Sequence, residues 1–193
     1  EGVKTFSALY GFRDTVSIDV GGTTTDIGQC TEGRVAEIRR GHVEGISVSF
    51  PLCEIISAGA GGSSIFRVAD GKITIGPESV GALPGPACFG RGGKEATITD
   101  ASLLSGLFDP VSYFGGGMGL DMARAEAAVM ANIAGPLGVD LDTALNAMSD
   151  ACCEDACEKW YGAESKKPPH FAESIVAFRR GEPGSAERLL LLA

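Results

Sequence analysis

Ile18-Asp19-Val20-Gly21-Gly22-Thr23-Thr24-Thr25-Asp26-Ile27-Gly28 is the stretch whose reading decides the fold. Residues 16–20 read as a buried strand, and Gly21-Gly22 supplies a hairpin turn whose missing Cβ atoms let backbone N–H groups come close to an anion. A tight turn of this kind calls for positive φ at its glycines, and the threonines then continue as the second strand. Their hydroxyls are phosphate-binding groups. Asp19 and Asp26 flank the turn as hard oxygen ligands of the type that hold Mg²⁺, often through its water shell. The same residues also suit a plain Gly-Gly hairpin carrying β-branched threonines, so the rest of the chain has to weigh between the two.

Working outward, residues 34–42 read as a third strand, joined by the turn Thr31-Glu32-Gly33, so three consecutive antiparallel strands are expected. Residues 53–57 form a short apolar run into Ala58-Gly59-Ala60-Gly61-Gly62-Ser63-Ser64. This second glycine loop is either a ligand-facing loop or a tight turn between packed strands. Residues 65–68 and 72–75 flank Ala69-Asp70-Gly71, a hairpin signal. Residues 76–96 read as a long Gly/Pro-rich loop, a length that compact domains usually reserve for function. In it Arg91 is the candidate for an anionic group, although a solvated loop charge is the stronger reading.

Thr99-Asp100 is expected to cap a short helix through residue 107, with Asp100 a cap rather than a ligand, and Asp121 a longer helix through about residue 133. After a turn at Gly135-Pro136-Leu137-Gly138, residues 140–161 carry Leu141, Leu145, Met148, Cys152, Ala156 and Trp160 at intervals of three and four. That stripe reads as core packing. A final strand is expected over 174–178 and a helix over 185–192.

The 193 residues suffice for one core or one lobe of something larger. Lys plus Arg 16 against Asp plus Glu 25 gives −9, which argues against nucleic-acid or anionic-membrane partners. No basic-then-apolar leader opens the chain and no apolar run approaches about 20 residues, so the expected address is cytoplasmic. The 28 glycines are about twice the usual share of roughly 7% and fall in clusters, as ligand-contacting loops do. Six cysteines lack CxxC pairs and read as reduced thiols, with Cys153 and Cys157 as small helix residues rather than a metal pair.

Four stretches in series then make the chain recognisable: Asp19 to Asp26; Ser57 to Ser63; Gly76-Pro77-Glu78-Ser79 with Pro84 to Gly93; and Thr97-Ile98-Thr99-Asp100-Ala101. Together they resemble the hydantoinase/oxoprolinase family, which includes N-methylhydantoinase A, 5-oxoprolinase and the nucleotide-binding subunits of acetone and acetophenone carboxylases. The resemblance implies an α/β fold: an actin-like, ribonuclease H-like ATPase lobe with an antiparallel three-strand start, a mixed sheet and flanking helices. Only one phosphate hairpin is present, so residues 1–193 are expected to be a single partial domain, the second lobe, inactive alone without the first.

By the same resemblance, Gly21, Gly22, Thr23, Thr24 and Thr25 would hold the phosphates of ATP. Asp19 and Asp26 would orient Mg²⁺ or the attacking oxygen as catalytic and metal-binding groups. Gly59, Gly61, Gly62 and Ser63 would complete the cofactor contacts. The implied function is the ATP-binding lobe of a cyclic-amide hydrolase that activates a carbonyl oxygen by phosphorylation. An acetone/acetophenone-type carboxylase subunit, or a non-catalytic subunit of the same fold, is the alternative. A second hydantoinase-type subunit and a small cyclic amide or ketone are the implied partners. Arg179-Arg180 stand where the family carries a glycine loop beside the nucleotide.

Overall fold

The computed structural model describes residues 2–163. Among these, the chain forms two compact units: residues 2–19, 26–57 and 159–163 in the first, and residues 20–25 and 58–158 in the second.

The first unit begins with α1 (Gly2–Tyr10), on which Phe6 and Tyr10, one helical turn apart, stack with ring centroids at 6.1 Å. Ser7 is buried, and its hydroxyl donates to the Val3 carbonyl and meets Thr15 Oγ1 at 2.6 Å. β1 (Asp14–Val20), β2 (Thr25–Thr31) and β3 (Arg34–Val35) lie in the order β1-β2-β3, the three-strand start read from the sequence. Val16, Ile27 and Cys30 are the buried apolar side chains of these strands. Cys30 pairs with Val35 and Thr31 with Arg34, leaving Glu32-Gly33 as a two-residue loop with φ of 51° and 73°, the twist-matched turn for a hairpin.

The expected third strand over 34–42 is broken into pieces. Ala36 donates to Gln29 and accepts from Glu54 at 2.8 Å, so the chain changes partners there. β4 (Glu37–Ile38) then pairs with β7 (Leu52–Cys53), while β5 (His42–Val43) pairs with β6 (Ile46–Ser47). Between them Gly41 is buried so tightly that a Cβ would lie 2.6 Å from Leu52 Cδ1. β8 (Ile55–Ala58) returns to pair with β2.

The second unit is built on the hairpin of β9 (Ser64–Ala69) and β10 (Lys72–Ser79), closed by Asp70-Gly71 as the sequence indicates. β10 outruns its expected end, passing through an irregularity between Ile75 and Ser79. The loop that follows contains a single 3₁₀ turn at Ala87–Phe89.

α2 (Ile98–Leu104) is capped by Thr97, two residues before the expected position, with Asp100 closing a reciprocal capping box. α3 (Met122–Val129) starts at Asp121 as expected but continues through a π turn (Met130–Ala134) into α4 (Gly135–Leu137). Pro136 sits in the first turn of α4, where no N–H is needed, so the break falls at left-handed Gly138 and not at Gly135. α5 (Leu141–Ala163) follows, with the Asp140 side chain accepting from the Thr143 N–H.

Leu141, Leu145, Met148 and Cys152 of α5 pack with Phe66, Ile75, Val129 and Ile133 in the core of this unit, as their spacing requires. Among the described residues no helix is long and apolar enough to cross a membrane. The strand and helix expected over 174–178 and 185–192, with Arg179-Arg180 and the side chain of Trp160, lie outside the described residues.

Candidate functional site: a glycine hairpin seated on a second glycine loop

The tip of the first hairpin is a four-residue turn, Gly21 to Thr24, closed by the Gly21 N–H donating to the Thr24 carbonyl at 2.8 Å. Thr23 and Thr24 therefore belong to the turn, and the second strand begins only at Thr25. Neither Gly21 nor Gly22 has positive φ, so the left-handed conformation expected of the turn is not used. A Cβ on Gly22 would meet nothing within 4 Å. What glycine provides at this position is open space above the backbone.

The positions where glycine is sterically demanded lie on the second loop. A Cβ on Gly61 would stand 2.6 Å from the backbone nitrogens of Thr23 and Thr24, and one on Gly62 2.8 Å from Thr99 Oγ1. The two glycine stretches are in direct backbone contact. Gly62 donates its N–H to the Gly21 carbonyl at 2.8 Å, and Ser63 donates its N–H to the Gly22 carbonyl at 2.7 Å.

These two bonds determine which way the turn faces. In a trans peptide the N–H points opposite to the C=O, and neither of these peptides is cis. With the carbonyls of Gly21 and Gly22 held by the loop, the N–H groups of Gly22 and Thr23 point away from it. Both residues are exposed, and neither N–H has an acceptor among the described residues. Two adjacent outward N–H groups, with the exposed Thr23 and Thr24 beside them, are hydrogen-bond donors of the type that can receive an anion. Thr25 plays another part: it is buried, and its hydroxyl proton goes to the Ala60 carbonyl at 2.5 Å, bracing the hairpin against the loop.

The loop is itself fixed on every side. Ser64 Oγ accepts the Gly61 N–H at 2.8 Å, and the Ser63 carbonyl accepts from Val80. The Gly59 carbonyl faces left-handed Gly76, where a Cβ would come within 2.7 Å of it. The Gly62 carbonyl takes both the N–H and the hydroxyl of Thr99, each at 2.9 Å.

Next to Thr99, the buried Asp100 carboxylate accepts from the Thr97 N–H and hydroxyl and from the N–H groups of Ala87 and Cys88. Burial, followed by the neighbouring Asp100 charge, pushes the Cys88 thiol well above its ordinary range. The sequence reading limits Thr99 and Asp100 to a helix cap, places Ser64 in the second glycine loop with no role of its own, and gives Thr97 no part. The Thr97-x-x-Asp100 spacing of a capping box was the available signal.

In the first unit, Asp26 is half-buried and accepts a short hydrogen bond from the Ser57 hydroxyl. Asp19 is exposed, and its carboxylate has no hydrogen bond or ion pair among the described residues. Each therefore has carboxylate oxygen to offer, a hard donor of the type Mg²⁺ prefers. No larger group of metal-binding side chains gathers among the described residues. Arg91 is exposed and directs a guanidinium N–H at Met118 Sδ, 3.6 Å away.

The model of the hydantoinase/oxoprolinase family matches residues 1–166. The chain belongs to the hydantoinase/oxoprolinase family. Among curated members it is 38% identical over 138 residues to the acetophenone carboxylase gamma subunit of Aromatoleum aromaticum, covering 70% of this chain and 19% of that protein. It is 35% identical over 136 residues to the caprolactamase subunit alpha of Pseudomonas jessenii, covering 70% and 20%.

Two solved family structures superpose on it. A nucleotide-free acetone carboxylase aligns over 88% of this chain and 25% of its own, with 27% identity and a TM-score of 0.66. The ATP-dependent caprolactamase of P. jessenii aligns over 82% and 23%, with 30% identity and a TM-score of 0.69. The architecture is thus the mixed α/β one with antiparallel sheets, consistent with an actin-like ATPase lobe. The chain spans about a fifth of the length of these curated relatives.

Proposed function

We propose that this chain is the ATP-binding lobe of an ATP-dependent cyclic-amide hydrolase, and that the Gly21–Thr24 turn holds the phosphates. The observation that carries this is the orientation of the turn: its carbonyls are occupied by Gly62 and Ser63, which leaves the N–H groups of Gly22 and Thr23 outward and without acceptors. Such amides need no reorganisation to receive an anion, which is what makes a fixed donor pair effective in phosphoryl transfer.

ATP bound there would supply the phosphoryl group that activates a carbonyl oxygen. Gly22 and Thr23 donate backbone N–H groups, and Thr23 and Thr24 present hydroxyls, while Thr25 keeps the turn in register through Ala60. Gly59, Gly61, Gly62 and Ser63 seat the turn. Asp19 and Asp26, adjacent to the turn in the chain, would hold Mg²⁺, with the Ser57 bond fixing the Asp26 carboxylate. The rest of a two-lobed clamp would come from residues outside this chain, together with a second hydantoinase-type subunit.

A second reading, a ketone carboxylase subunit, is favoured by the 38% identity to the acetophenone carboxylase gamma subunit. The same turn serves both chemistries. Phosphate release from ATP by the full-length protein, together with its partner subunit, separates them. Stimulation by a hydantoin, 5-oxoproline or a lactam supports the hydrolase. Stimulation only by acetone or acetophenone with bicarbonate supports the carboxylase. No stimulation together with no ATP binding contradicts both.

A further inference from the structure

We propose that Thr99 is a positioning residue for the phosphate-binding turn, acting through Gly62 and never touching the nucleotide itself. The inference rests on the nucleotide reading above and extends it. Thr99 donates twice to one acceptor: its N–H and its hydroxyl both reach the Gly62 carbonyl at 2.9 Å. Gly62 in turn donates its N–H to the Gly21 carbonyl, and Ser63, the next residue, holds the Gly22 carbonyl. The direction in which the Gly22 and Thr23 N–H groups point is therefore set at Thr99, two hydrogen bonds away.

The threonine is in turn immobilised. It lies in the first turn of α2 between Thr97 and Asp100, both completely buried, and Asp100 ties that turn to the backbone of Ala87 and Cys88. The fit is close on the loop side as well, since a Cβ on Gly62 would approach Thr99 Oγ1 to 2.8 Å. A hydroxyl needed only for helix stability would face its own helix. This one faces the Gly62 carbonyl across the loop.

The test compares ATP affinity by calorimetry in the full-length protein carrying Thr99→Val, Thr99→Ser, Gly22→Val or Ile133→Val, each with its thermal midpoint. Thr99→Val keeps the shape and loses the hydroxyl bond. We expect about tenfold weaker ATP binding, the scale of one lost hydrogen bond. Thr99→Ser should restore it, and Ile133→Val, a core change elsewhere in the same unit, should bind ATP normally despite a lower midpoint.

If Thr99→Val binds ATP like the wild type while Gly22→Val does not, the positioning role is wrong and the nucleotide reading stands. If neither variant changes ATP binding, the nucleotide reading fails. If Thr99→Val and Ile133→Val weaken binding in proportion to lost stability, Thr99 is only structural and the proposal is overturned. Should Thr99→Val not fold, Gly62→Ala displaces the same hydroxyl without removing it, and unchanged ATP affinity there overturns the proposal equally.

Discussion

Ser63 donates its backbone N–H to the carbonyl of Gly22 at 2.7 Å, joining two glycine clusters that lie far apart in the sequence. With the parallel bond from Gly62 to Gly21, it turns the N–H groups of Gly22 and Thr23 away from the loop. The division of labour among the glycines follows from that. Gly61 and Gly62 are required for packing, and Gly22 for access.

Gly61→Ala should destabilise the protein by about 1–3 kcal/mol, the usual cost of forcing an atom into a filled space. The added methyl would stand 2.6 Å from the backbone of Thr23 and Thr24, which cannot rotate away as a side chain would. Urea unfolding of the full-length protein measures the loss. Wild-type stability would mean that the hairpin and the loop are not seated as described.

Gly22→Val should behave in the opposite way. Its φ is not in the left-handed region and its Cβ has open space, so the thermal midpoint should stay close to that of the wild type. ATP binding should fall by more than about tenfold, because the branched side chain covers the N–H groups that glycine leaves open. Calorimetry beside a melting curve checks both halves. A folded variant with normal ATP affinity would reduce the hairpin to a turn.

Asp26→Asn and Asp19→Asn form a matched pair. Asp26 is held by the Ser57 hydroxyl, so its replacement should depress ATP-dependent turnover on the order of 10²-fold even at saturating Mg²⁺, the effect of losing a positioned group. Asp19 is exposed and unheld, so its replacement should mainly raise the Mg²⁺ concentration needed for half-maximal rate. Rate against Mg²⁺ for the two variants decides the matter. If neither curve moves, these aspartates are structural.

Cys88 should be inert while the protein is folded. A thiol whose pKa is raised by burial stays protonated and unreactive at neutral pH, whereas Cys53 is exposed. Iodoacetamide labelling followed by mass spectrometry should modify Cys53 first and Cys88 only in denaturant. The sign for stability follows: the folded state binds this proton more tightly than the unfolded state. Its contribution is therefore complete below the ordinary thiol value of 9.0 and declines as pH rises above it. Equal labelling of the two cysteines in the native protein would contradict the burial.

Much of this architecture was legible because local chemistry and tertiary structure agree. Glu32-Gly33 and Asp70-Gly71 take positive φ where the turn signals fall, and the stripe from Leu141 through Met148 packs as its period demands. The errors occur where a distant partner decides. Residues 34–42 look like one strand, but Ala36 exchanges Gln29 for Glu54 and the ladder breaks. Thr97 displaces the expected cap because Asp100 completes the box with it.

At the candidate site the residue types were readable and their roles were not. Thr23, Thr24 and Thr25 are identical letters, yet only Thr25 is buried against Ala60, because the strand begins there. Nothing local distinguishes Gly22, with space around it, from Gly61, with none. Only the contact between the two stretches does so.

Residue-resolved amide hydrogen exchange of the full-length protein, with and without the non-hydrolysable analogue β,γ-imido-ATP and Mg²⁺, reads the outward N–H groups of the turn themselves. The exposed Gly22 and Thr23 N–H groups should exchange rapidly in the free protein and become protected when the analogue binds, while the exposed Glu32-Gly33 turn should not change. Analogue binding proven by calorimetry, with Gly22 and Thr23 still exchanging at the free rate, would contradict phosphate binding at this turn.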